Sequence, residues 1–98
     1  MFKIWAKTFH GEKLTRNFLY ECDGAYVDED FNACVYAICT ELDIPSPVIM
    51  RSHVANFSQF NHVIFRASDY VESIDFDRFT LEYCLDENRP RKDLRFYP

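Results

Sequence analysis

The stretch that most limits what this chain can fold into is Asp28–Leu42, DEDFNACVYAICTEL. Phe31, Cys34, Val35, Ile38 and Leu42 recur at the spacing of one helical face. The opposite stripe, Glu29, Asn32, Tyr36, Thr40 and Asp43, is mostly polar. Asp28, Glu29 and Asp30 stand at the start, where carboxylates cap free N–H groups and meet the positive end of the helix dipole. Ile44-Pro45 is expected to close the helix, because the residue before a proline leaves the α region. A rod of about 20 Å is marginal alone in water, so it must pack on something.

The flanking segments read as strands. Residues 2–9 alternate Phe2, Ile4, Ala6 and Thr8 against Lys3, Trp5, Lys7 and Phe9, so both sides carry an aromatic and the buried side stays open. His10-Gly11-Glu12-Lys13 supplies a hairpin turn with Gly11 at positive φ, and residues 14–21 return. Asp23-Gly24 marks a further turn before the helix. After the helix, Ile44-Pro45-Ser46-Pro47 predicts a rigid extended connection and Val48–Arg51 a short third strand. Residues 52–61 are polar and irregular, with Phe57 and Phe60 pinning them to the body and one helical turn as an alternative. His62–Ala67 reads as a fourth strand and Ser68–Phe76 as a turn or single helical turn capped by Ser68 or Asp69. Arg78–Leu85 is the clearest strand: Phe79, Leu81, Tyr83 and Leu85 face one way, Arg78, Thr80, Glu82 and Cys84 the other.

The order β-β-α-β-β-β predicts an α+β two-layer sandwich, one amphipathic helix on a four- or five-stranded, mostly antiparallel sheet. A β-grasp arrangement with a mixed sheet is the alternative, suggested by Asp43-Ile44-Pro45-Ser46-Pro47, by Ser68-Asp69-Tyr70 and by Thr80-Leu81. At 98 residues one domain is expected, spanning 1–87, followed by a charged C-terminal extension over 88–98. That extension holds Arg89, Arg91, Lys92 and Arg95 against an acidic body. Its Leu94, Phe96 or Tyr97 is expected to dock on the body, on a partner chain or on a neighbouring molecule.

Charge and apolar patterning bound the function. The net charge of −5 disfavours nucleic acid and anionic membranes, since phosphate binding needs a cationic face. No apolar run approaches a membrane span, and MFKIWAKTFH lacks the continuous apolar core of a signal peptide, so the expected location is cytoplasmic. In that compartment Cys22, Cys34, Cys39 and Cys84 are expected to stay reduced and to pack as small apolar residues. Cys34 and Cys39, five apart on a helix, point about 140° away from each other.

The candidate functional residues form three groups. Asp69, Glu72, Asp75 and Asp77 follow the fourth strand; carboxylates gathered at a loop can bind a hard cation or act as acid and base. Their spacing matches no calcium loop, so a solvated turn with capping carboxylates is the expected reading. Asp75 and Asp77 flank Phe76, which suits an aromatic anchor between two turn-capping carboxylates. Among the histidines, His53 and His62 flank the irregular segment and could join Cys84 or an aspartate at zinc, but no C-x-x-C or H-x-x-x-H pair supports that. Cysteine catalysis would need a thiol beside a histidine in a cleft. Trp5 and the aromatic excess point to an exposed interaction patch, screened in part by the stems of Lys3, Lys7 and Arg16. A homodimer through the uncovered sheet face would bury it.

The segments Cys39-Thr40-Glu41-Leu42-Asp43, Pro47-Val48-Ile49 and Tyr70-Val71-Glu72-Ser73-Ile74-Asp75-Phe76-Asp77, with the opening Met1–Lys7, resemble a group of small uncharacterised Firmicute proteins. The resemblance covers most of residues 1–87, and E-S-I-D-F-D before a strand is its most specific part. It implies an architecture and no activity. The expected function is therefore a small non-catalytic binding or regulatory module acting through protein–protein contacts, with Trp5, Asp69, Glu72, Asp75, Asp77, Phe96 and Tyr97 as candidate contacts. No cofactor is implied. An acidic inhibitor or decoy from a mobile element and a small metal-dependent or cysteine enzyme are the alternatives.

Overall fold

A computed structural model describes residues 1–84. Its elements are β1 (Phe2–His10), β2 (Lys13–Cys22), α1 (Phe31–Leu42), α2 (Arg51–Phe60), β3 (His62–Arg66) and β4 (Arg78–Cys84). The strands form one open sheet in the order β2-β1-β4-β3, every neighbouring pair antiparallel. The fold is thus α+β, with helices on one face of an antiparallel sheet. The boundary expected at residue 87 and the docked extension, with Phe96 and Tyr97, lie outside the described residues.

Two expectations are corrected. The order is β-β-α-α-β-β, with two helices rather than one. No pair in the sheet is parallel among the described residues, so the mixed β-grasp alternative does not hold. The cause lies in residues 44–61. Val48–Arg51 is not a strand: the Val48 N–H donates to the Asp69 carbonyl at 2.7 Å, and no ladder forms. From Met50 the chain turns directly into α2, because the Met50 N–H donates to His53 Nδ1 at 2.9 Å. A side chain three residues into a helix reaching back to the residue before it satisfies an otherwise orphaned donor. The polar look of RSHVANFSQF hid a narrow buried stripe, His53 and Phe57 at i and i+4, with Val54 half-buried beside them.

α1 is where its spacing placed it. Phe31, Cys34, Val35 and Ile38 are buried, Cys39 joins them, and Tyr36 stays on the wet side. A 3-10 turn over Asp28–Asp30 leads in. The helix ends at Leu42, as expected. Asp43 takes the left-handed conformation (φ 58°), and the Ile44 N–H donates to the Cys39 carbonyl at 3.0 Å. This is a Schellman-type ending, which satisfies late carbonyls before the prolines act.

β1 is central, paired on both edges. Its Phe2, Ile4, Ala6 and Thr8 are all buried under the helices, which settles the open question of its two sides. Gly11 (φ 64°) makes the tight β1–β2 turn as expected. The core is a run of aromatic contacts. Phe57 of α2 lies 5.4 Å from Phe31 of α1 and 5.4 Å from Tyr26, ring centre to ring centre. Phe65 stacks on Phe79 at 5.9 Å, and the His53 ring sits 4.3 Å above Phe65.

Phe79 has no exposed surface, so Phe79→Ala should lower the unfolding free energy by about 3–5 kcal/mol in urea denaturation. Asp43→Val should cost about 1–2 kcal/mol, because a β-branched residue resists the left-handed backbone that ends α1.

Candidate functional site

The helices cover only one face of the sheet. Along β1 the uncovered side presents Lys3, Trp5, Lys7 and Phe9. Register sets their neighbours: Trp5 lies between Leu19 of β2 and Glu82 of β4, and Lys7 between Asn17 and Thr80. On β3, alternation places His62, Ile64 and Arg66 on this side, opposite the buried Val63 and Phe65. Trp5 is 41% exposed and Leu19 45%, so two large apolar side chains abut in solvent.

The charges on this face are arranged around those rings. Lys7 Nζ stands 4.0 Å from the Trp5 ring centre, and the Arg78 guanidinium 4.4 Å from that of Phe9. Cations over aromatic faces are held by the ring quadrupole. Lys3 meets Glu21 and Lys7 meets Glu82, each at 3.9 Å, weak pairs at a wet surface. Arg66 and Arg78 are directly opposite across β3 and β4. Like charges so placed cost stability, and Arg78 is held there by donating to the Gly11 carbonyl at 3.0 Å. Desolvation lowers the His62 pKa, and the Lys7 charge adds to that against the pull of Glu82.

The distribution is uneven. Residues 1–84 contain thirteen Asp and Glu and seven Lys and Arg. Four of those cations, Lys3, Lys7, Arg66 and Arg78, rise from the open sheet face, with only Glu21 and Glu82 as carboxylates. The remaining described surface carries eleven carboxylates and three cations, Lys13, Arg16 and Arg51. A mildly cationic, apolar face is thus set against a strongly acidic body.

The acidic turn does not converge. Asp69 accepts from the Arg66 N–H at 2.8 Å and lies 3.5 Å from His53 Nε2. Asp75 accepts from both terminal nitrogens of Arg16 at 3.3 and 3.4 Å, which holds its carboxyl below the usual range. Asp77 accepts from the Gly11 N–H and stands 3.9 Å from His10. Glu72 is exposed. Phe76, between Asp75 and Asp77, is buried against Tyr70 at 5.6 Å, so the segment is an aromatic anchor between two bonded carboxylates. Arg16 is drawn to Asp75 on the helix side, so it does not screen the Trp5 face.

His53 and His62 lie on opposite sides of the sheet and do not meet. Among the described residues no three His, Cys, Asp or Glu gather as a metal site would need. A cleft of about 180 Å³ is lined by Tyr26, Asp28, Phe57, Ser58, Asn61 and Tyr83, small beside ordinary ligand pockets. Burial pushes the Cys34 and Cys39 thiols up to about 11.

Of the residues singled out in the sequence, Trp5 belongs to the open face, and Asp69, Asp75 and Asp77 hold turns together. Leu19, Ile64 and Arg66 were missed as face residues, whereas Arg78 lies on the side of β4 where alternation placed it. Strict alternation along β1 carried the signal, but only the helix layer shows which parity is wet. No helix among the described residues is long and apolar enough to cross a membrane. The chain matches no known protein family, no curated protein and no solved structure.

The two raised thiols give a pH dependence. Their folded-state values lie above the ordinary 9.0, so their contribution to stability is intact below pH 9.0 and is lost as pH rises towards about 11. The urea midpoint should fall across that interval, less so in Cys34→Ala/Cys39→Ala. Near neutral pH a thiol-specific disulfide reagent should label Cys22 and Cys84 well before Cys34 and Cys39.

Proposed function

We propose that this protein is a cytoplasmic, non-catalytic binding module that recognises an acidic protein surface through the open face of its sheet. The observation that carries this reading is the pairing of Trp5 and Leu19, exposed side by side on the face that concentrates four of the seven described cations. Trp and Arg are the side chains most often found at the centre of protein interfaces. Strands hold them at fixed spacing, so little ordering entropy is lost on binding. The cations around the apolar pair select for a carboxylate-bearing partner and raise its encounter rate.

Single-stranded nucleic acid fits less well. Base stacking needs open rings on a cationic protein, whereas Lys7 and Arg78 already occupy a face of Trp5 and of Phe9 and the chain is acidic. The decoy alternative draws support from the eleven carboxylates on the rest of the described surface, which would meet a basic partner instead. The enzyme alternative in its metal-dependent form requires a cluster of ligands, and among the described residues no three His, Cys, Asp or Glu gather.

Affinity capture from a native lysate, followed by titration of the captured protein, tests the proposal. Trp5→Ala should weaken binding at least tenfold, and Lys7→Glu/Arg78→Glu should weaken it further and flatten its salt dependence. Glu72→Ala, at a remote exposed turn, should leave it unchanged. Binding that survives Trp5→Ala but fails when Asp28, Glu29 and Asp30 are neutralised would favour the decoy reading.

A further inference from the structure

The outer edge of β2 stands apart from the open face and poses a separate question. β2 is ten residues long and ends the sheet, and no described strand pairs with its outer side. A long edge strand presents unpaired N–H and C=O groups that template another strand unless something blocks them. Neither helix seals this one: Leu14 and Leu19 are 43% and 45% exposed, and Phe18 and Tyr20 only half-buried. The strand contains no proline. Its one irregularity is a register shift opposite Thr8 and Phe9, near its first residues.

The charge order along β2 says what fits that edge. Lys13 and Arg16 lie in its first half and Glu21 in its second. Run against a copy of itself antiparallel, the strand sets the basic half beside the acidic half at both ends. A parallel copy would set like against like. Antiparallel self-pairing is also the arrangement a two-fold axis produces.

We propose that the occupant of this edge is a second copy of the chain, paired β2 to β2 about a two-fold axis at Phe18, so that two four-stranded sheets become one of eight strands. Two constraints select that axis. Side chains opposite each other must share a face, so the axis must pass through a residue rather than between two. Asn17 and Phe18 each keep nine of the ten residues of β2 paired, and of the two only Phe18 sets a ring against its own counterpart at the axis. Phe18 then meets its own counterpart, Arg16 opposes Tyr20, Asn17 opposes Leu19, and the irregularity at Leu14 and Thr15 lies opposite Cys22 and Glu21. The aromatic pair at the axis favours such a ladder, and each strand's basic end lies beside the other's acidic end. Because Trp5 is Leu19's partner within each sheet, pairing also joins the two apolar patches across the axis.

Sedimentation velocity of the full chain from micromolar to near-millimolar concentration tests this, with far-ultraviolet circular dichroism confirming each fold. The wild type should dimerise reversibly. Asn17→Lys/Leu19→Lys sets lysine against lysine across the axis and should weaken association at least tenfold. Asn17→Lys/Leu19→Glu sets lysine against glutamate at the same places and should restore it. Both pairs change only exposed side chains, so neither should unfold the protein. A wild type that stays monomeric throughout overturns the proposal, as does a dimer indifferent to both variants. Trp5→Ala, which tests the open face, should leave the monomer–dimer equilibrium within twofold, so either idea can fail without the other.

Discussion

Everything in this small fold leans on the contact of Phe57 with Phe31 above Phe65. Phe31 comes from α1, Phe57 from α2 and Phe65 from β3, and each is at most 1% exposed. Each ring removes a large apolar area from water, and edge or tilted contacts between rings add to that burial. The contact joins two short helices that would not persist alone. It also fixes the face of the sheet they cover, because the buried sides of β1 and β4 must meet the same rings.

Covering one face leaves the other bare. With only ten- and twelve-residue helices, the chain has no second layer among its described residues to place over Trp5, Phe9, Leu19 and Ile64. The cations on that face sit over aromatic rings or beside glutamates, while most carboxylates serve the turns and helix ends. Asp77 binds the hairpin at Gly11, Asp69 the turn after β3, and Asp75 the arginine that leaves the Trp5 side. Charge segregation between the layers thus follows from local structural needs, and it leaves the open face as the place where contacts remain to be made.

Legibility was uneven, for physical reasons visible in single residues. α1 could be read because five apolar residues recur at helical spacing, and β4 because strict alternation allows only a strand. α2 could not. Its ten residues bury only His53 and Phe57, and it is held by an imidazole accepting the Met50 amide and by Phe57 in the aromatic contact. Two buried residues at i and i+4 are too few to make a readable period. Val48–Arg51 looked like a strand for the complementary reason, since an apolar run of three residues, Val48–Met50, is equally at home in an extended connection. Trp5 stood out by its chemistry, whereas Leu19, Arg66 and Arg78 join it only through strand register.

The sequence by itself determined the α+β class, the buried face of α1, the hairpin at Gly11 and the role of Phe76 between two bonded carboxylates. Those follow from periodicity and turn chemistry, which act over a few neighbours. Only the tertiary structure decided the second helix, the strand order, which side of β1 is wet and where the cations gather. Each of these depends on pairing between residues far apart in the chain: Trp5 with Leu19 and Glu82, Arg66 with Arg78, Gly11 with Asp77. A two-residue shift of register would keep every side chain on its face yet reassign such partners, so local pattern alone could not choose them.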